Sequence, residues 1–204
     1  MGLIIGLVWV CAIIAGNFWL WRYEGQAGEP SRSPVMWPAG MTFQPPAGKD
    51  TLVVLLHPHC PCSRATVDEL DRIMAQCQGR LQAFALMSTP AGLSVGEEAT
   101  GLERSVAAIP GVTVIHDTHG KLANLFGATT SGHVCLYSVD GQLLFSGGIT
   151  GSRGHSGDNT GQWAVVNLVT HARRTQPAST PVYGCPLFGP TCQASQERGD
   201  ACPQ

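Results

Sequence analysis

From Gly2 to Trp21 the chain reads GLIIGLVWVCAIIAGNFWLW, without one charged side chain. About 20 apolar residues of helix match the hydrocarbon thickness of a bilayer. A soluble fold of this length has little means of covering such a run, so the run constrains the rest of the chain more than any other feature. Trp19, Trp21 and Tyr23 gather at its far end, as an interfacial aromatic belt does. Two readings stand. One is an uncleaved anchor over residues 1–23; the other is a secretory signal cut near Gly25-Gln26-Ala27. The length of the run and the lack of a preceding Lys or Arg favour the anchor.

Orientation draws on two opposed signals. Arg22 follows the span, and the positive-inside rule taken alone keeps the remaining chain in the cytoplasm. Cysteine usage points outward. There are eight cysteines, at positions 11, 60, 62, 77, 135, 185, 192 and 202. Cys185, Cys192 and Cys202 fall in a Pro/Gly-containing tail, residues 176–204, with little apolar content. Disulfides would order such a tail, and disulfides persist in oxidising compartments. The expectation is a single-pass membrane protein with its domain periplasmic or otherwise extracytoplasmic. With 12 basic and 14 acidic residues there is no basic field for a phosphate backbone, so nucleic acid is not an expected partner.

Residues 24–50 are proline-rich and lack periodicity, which predicts a semi-rigid linker lifting a domain off the bilayer. Beyond Asp50 the pattern alternates. Strands are expected at Thr51–Leu56, Leu81–Met87 and Val112–His116. Helices are expected at Ser63–Gln78, Glu97–Ile109 and Thr118–Phe126. His133–Ser138 and Leu143–Ser146 flank Asp140-Gly141, a hairpin signal. A glycine-rich loop over 147–161 precedes a closing helix at Trp163–Arg173. This order predicts an α/β domain over 51–175: a central mixed sheet flanked by helices, with an antiparallel hairpin on one side.

Cys60-Pro61-Cys62 lies between the first strand and the first helix of that domain. A thiol at a helix N-terminus meets unsatisfied N–H groups and the positive end of the helix dipole, both of which favour thiolate. His57 and His59 add proton acceptors or positive charge beside it. The other expectation for paired cysteines is that they serve as small buried hydrophobes.

A strand, a cysteine motif, a helix, then βαβ and a hairpin resembles the thioredoxin fold over roughly residues 45–175. Phe126-Gly127-Ala128, His133-Val134-Cys135-Leu136-Tyr137 and Asp140-Gly141 resemble the segment around that family's cis-proline, its next strand and its hairpin turn. His57-Pro58-His59-Cys60-Pro61-Cys62-Ser63-Arg64-Ala65 is similar to the RedB-type thioredoxin-like proteins. So are Ser131-Gly132-His133, Gly147-Gly148-Ile149-Thr150 and Arg153-Gly154-His155. The resemblance implies a redox role on protein thiols and disulfides, without a cofactor, with Cys60 attacking and Cys62 resolving. Two departures stand out. Ser63 occupies the usual position of the second cysteine, and Gly132 stands where the proline is expected.

A disulfide between residues two apart closes a small, strained ring, so the Cys60/Cys62 couple is expected to be comparatively oxidising. The alternative is copper. Thiolate and imidazole select Cu(I), and the Sco-type copper chaperones of the same fold add a distant histidine. Cys60, Cys62 and His133 would be the ligands here. A second alternative is a non-catalytic, membrane-tethered binding domain. Arg153 and His155 are either an anion or substrate clamp or part of a flexible connection, with Asp158 or Asn159 capping the closing helix. Gly92-Leu93-Ser94-Val95-Gly96 matches a hydrolase nucleophile pattern, but no partnered Asp/His order accompanies it.

Overall fold

The computed structural model describes residues 2–89, 101–171 and 176–188. Helix α1, Gly2–Glu24, contains the uncharged run and is long and apolar enough to cross a membrane. Its side chains are almost all exposed, as a lipid-facing surface requires.

Strand β1, Asp50–Leu56, is buried at every position. It lies in the middle of a six-stranded sheet, so both of its faces need cover. Leu52, Val54 and Leu56 point to one core and Val53 and Leu55 to the other, as a period of two demands. Helix α2, Ser63–Gln76, covers the first face with Val67, Leu70, Ile73 and Met74. Strand β2, Leu81–Thr89, helix α3, Gly101–Ala107, and strand β3, Val112–Thr118, follow. β1, β2 and β3 are mutually parallel.

Helix α4, Lys121–Leu125, begins where both Asp117 carboxylate oxygens accept backbone N–H groups, from Leu122 and Ala123, each at 2.8 Å. Strand β4, His133–Tyr137, runs antiparallel to β1, and strand β5, Leu143–Gly148, returns antiparallel to β4. Between them Gly141 takes φ 76° in the expected Asp-Gly turn. Helix α5, Thr160–Thr170, is capped by Asn159, whose Oδ1 accepts the Gln162 N–H at 2.8 Å. Strand β6, Ala178–Ser179, extends the sheet, giving the order β3-β2-β1-β4-β5-β6. This is the thioredoxin-like fold that the resemblance implies, preceded by an apolar helix.

The second face of the sheet departs from expectation. The proline-rich segment is laid along the domain instead of standing as a spacer. Trp37 stacks edge-on against Phe43, Phe126 and Tyr137, and Met41 is buried beside them. Backbone bonds fix its course: Arg32 N–H to the Gly127 carbonyl at 3.1 Å, Trp37 N–H to Gly141 at 2.8 Å, and Leu143 N–H to Val35 at 2.9 Å. From the other end of the chain, Phe188 joins the same core. A sheet buried on both sides recruits irregular segments where it lacks a full helical layer.

Candidate active site

β1 ends at Leu56 and α2 begins at Ser63, so Cys60 and Cys62 sit in the connecting turn. The turn is tight: Cys60 N–H donates to the His57 carbonyl at 3.1 Å, and Ser63 N–H donates to the Cys60 carbonyl at 3.0 Å. Cys62 is the helix N-cap, already in helical conformation and with no side-chain cap bond. The helix start thus leaves N–H groups for other acceptors, and the Cys62 N–H serves the Cys60 sulfur.

Ser63 does not act as a stand-in thiol. Its hydroxyl donates to the His57 carbonyl at 3.1 Å and meets the Ser131 hydroxyl at 2.9 Å. Ser131 Oγ also accepts the His57 N–H at 2.9 Å. Gly132, at φ 89°, donates its N–H to the Leu55 carbonyl at 2.7 Å. A Cβ there would lie 2.9 Å from Thr66 Oγ1 in a backbone region that L side chains avoid. The loop before β4 is therefore held against the cysteine turn by serine hydroxyls and one close-packed glycine.

A third thiol completes the site. Ser131 N–H donates to the Cys185 carbonyl and Leu187 N–H to the Thr129 carbonyl, both at 2.8 Å, with Thr130 bridged antiparallel to Pro186. This pairing lays the Val182–Phe188 segment along Thr129–Ser131. It brings the Cys185 N–H to 3.4 Å from Cys60 Sγ. Among the described residues Cys185, one of the three tail cysteines read as cross-link candidates, is a free thiol beside Cys60. No spacing rule links positions 60 and 185, and only the tertiary pairing brings them together. Cys192 and Cys202 lie outside the described residues, as does Gly92–Gly96.

The three thiols are electrostatically unequal. Burial pushes the Cys60 thiol up. The polar groups around the sulfur, the Cys185 side chain and N–H, the Cys62 N–H and the Ser63 side chain, outweigh burial, and the net result lies below an ordinary thiol. Cys62 is raised, first by burial, then by the charge on Cys60 and the hydrogen bond it donates there; Arg153 and the Gly154 N–H offset part of this. Cys185 is pushed up to about 12 by burial, by donating to Cys60 and by the charges on both neighbours. Of the three, Cys60 is therefore the one that loses its proton most readily. His57, whose Nδ1 accepts the His59 N–H at 3.2 Å, is held below the usual imidazole range by burial and by His59.

Arg153 is not a free clamp. Nη1 donates to the Gly184 carbonyl at 2.7 Å and Nε to the Gln26 carbonyl at 3.1 Å. Its guanidinium lies 5.1 Å from the centre of the Tyr23 ring. It therefore ties together the end of α1, the tail and the thiol site. His155 turns back onto its own loop, with Nδ1 at 2.8 Å from the Arg153 carbonyl.

His133 belongs to a different environment. Its Nε2 lies 2.9 Å from Ser33 Oγ, 3.3 Å from Cys135 Sγ and 3.4 Å from Ser146 Oγ, inside the domain. Burial lowers its pKa to about 4. Among the described residues no group of three or more His, Cys, Asp or Glu side chains converges as a metal site. Cys60, Cys62 and His133 do not converge as the trio expected above. Cys77 and Cys135 are buried thiols held up at about 11 and about 12, chiefly by burial. They are placed for packing.

No protein-family model and no curated protein matches the chain. Solved structures do. An uncharacterized conserved protein from Geobacillus kaustophilus is 14% identical with a TM-score of 0.58, covering 81% of this chain and 94% of that one. A hypothetical protein from Sinorhizobium meliloti is 19% identical with a TM-score of 0.56, covering 79% and 93%. A secreted disulfide oxidoreductase of Mycobacterium tuberculosis is 15% identical with a TM-score of 0.43, covering 62% and 84%. The first two share the fold along most of the chain.

Proposed function

We propose that this thioredoxin-like chain is a membrane-anchored thiol–disulfide oxidoreductase, working on protein thiols or disulfides through Cys60, with its domain on the extracytoplasmic side. The carrying observation is the hydrogen-bond set on Cys60 Sγ. One sulfur, with the Cys185 N–H at 3.4 Å, is shifted toward thiolate while its two neighbouring thiols are shifted the other way. The core thiols differ in outcome: Cys77, and Cys135 even with Ser33 Oγ at 3.2 Å from its sulfur, are both pushed above an ordinary thiol by burial.

The chemistry that follows is nucleophilic exchange. The Cys60 thiolate attacks a disulfide sulfur of the substrate, and the departing thiolate takes a proton. Helix α1 holds the domain at the bilayer, and Arg153 couples the helix end to the site.

The test is reduction of a model protein disulfide by the detergent-solubilised full chain, with dithiothreitol as the electron donor. Loss of turnover in Cys60→Ser is expected, with no response to added copper. Full activity in Cys60→Ser would refute the reading, and no activity in the wild type would favour a binding domain. Labelling Cys60 in intact cells with a membrane-impermeant maleimide checks the topology.

A further inference from the structure

We propose that Cys185 is the thiol that closes a disulfide with Cys60, delivered to it by the tail segment paired along Thr129–Ser131. The assignment deepens the exchange reading and rests on it. Two geometric features converge. The Cys185 N–H lies 3.4 Å from Cys60 Sγ. The segment carrying it is positioned by backbone bonds at Ser131 and Leu187 on one side and by Arg153 at the Gly184 carbonyl on the other.

Cys62 is poorly placed for this role. It stands two residues from Cys60, and its backbone is committed to the first turn of α2 at φ −69° and ψ −22°. A bond to Cys60 would have to reach disulfide geometry inside that small ring. Cys185 comes from a separate segment and carries no such restraint.

The Cys60 thiolate attacks one sulfur of a substrate disulfide, forming a mixed disulfide and releasing the first substrate thiolate, which is protonated. Cys185 then loses its proton and attacks Cys60 Sγ. The Cys60–substrate bond breaks, the second substrate sulfur leaves and takes that proton, and a Cys60–Cys185 disulfide remains. Two electrons pass from the protein pair to the substrate, and an external dithiol returns them by the reverse exchange. The order is built in. Burial holds the Cys185 thiol up, and charge on Cys60 adds to it. Once Cys60 is in a mixed disulfide that charge is gone, and Arg153 is left to favour the Cys185 thiolate.

Gly184 supplies a control that leaves every sulfur in place. A Cβ there would collide with the Ser131 carbonyl oxygen, so Gly184→Ala displaces the segment from its rail. The experiment uses the reduced full chain in detergent, challenged with glutathione disulfide, quenched in acid, alkylated and mapped by peptide mass spectrometry. The wild type should yield a Cys60–Cys185 bond. Cys185→Ser and Gly184→Ala should accumulate the glutathione adduct on Cys60 to at least roughly tenfold the wild-type level, because proximity is lost. Cys62→Ser should resolve like the wild type. Recovery of a Cys60–Cys62 bond, or wild-type resolution in Cys185→Ser, would overturn the assignment while leaving exchange at Cys60 intact. An absence of any adduct at Cys60 would overturn both.

Discussion

The hydroxyls of Ser63 and Ser131 meet at 2.9 Å inside the protein, each also bonded to a backbone group of His57. The residue at the expected second-cysteine position thus spends its side chain on joining the cysteine turn to the loop before β4. Ser131→Ala leaves the His57 N–H and the Ser63 hydroxyl without their partner, at a cost of about 1–3 kcal/mol. Urea denaturation should show the loss. A change below the error of the method would mean that water replaces the hydroxyl.

Alkylation should distinguish the thiols by pH. Cys60 lies below an ordinary thiol and Cys62 above it. As pH rises, iodoacetamide should modify Cys60 first, with its rate midpoint below that of a free cysteine. Cys185→Ala removes a thiol donor to Cys60 and should move that midpoint upward. Peptide mapping of time points measures both. Identical profiles for Cys60 and Cys62 would refute the charge assignment.

Acid should weaken the fold through His133. Its pKa is about 4 in the folded chain and 6.5 when unperturbed. The unfolded chain takes up the proton first as pH falls. The contribution of the neutral, buried ring is therefore complete above 6.5 and declines as pH drops toward 4. At 1.36 kcal/mol per unit the decline amounts to roughly 3 kcal/mol. Denaturation midpoints from pH 7 to 4 should show this slope, and His133→Gln should flatten it. A slope unchanged in the variant would assign it to other groups.

Arg153→Met removes the bonds to the Gly184 and Gln26 carbonyls and the stacking on Tyr23. Maleimide labelling of Cys185 in the native state should accelerate, and protease should cut more readily between residues 176 and 188. Unchanged protection would place the whole hold on the tail at Thr129–Ser131 and Phe188.

The central fold was legible because its burial is periodic. β1 shows as an apolar run, α2 as a helical stripe and the hairpin as Asp-Gly between strands, and each side chain reports its face. The segments that close the second face leave no such trace. Residues 24–50 and 182–188 dock largely through backbone bonds at Gly28, Arg32, Trp37, Ser131 and Leu187, which any sequence can make. For that reason the linker reads as a spacer and Cys185 as a cross-link. His133 was misleading in another way. Its place before a strand resembles a metal ligand, but its register on β4 turns it inward to Ser33 and Cys135. Cys60 was legible because a strand–helix junction is a local feature.

The pairing of Val182–Phe188 with Thr129–Ser131 also has a temporal side. A ribosome produces Cys60 well before Cys185, so a nascent chain presents the reactive sulfur while its internal partner does not yet exist. During that interval Cys60 is open to foreign thiols and to premature oxidation. Translation itself closes the interval, because Cys185 reaches Cys60 only when the polypeptide arrives at the segment that docks on its rail.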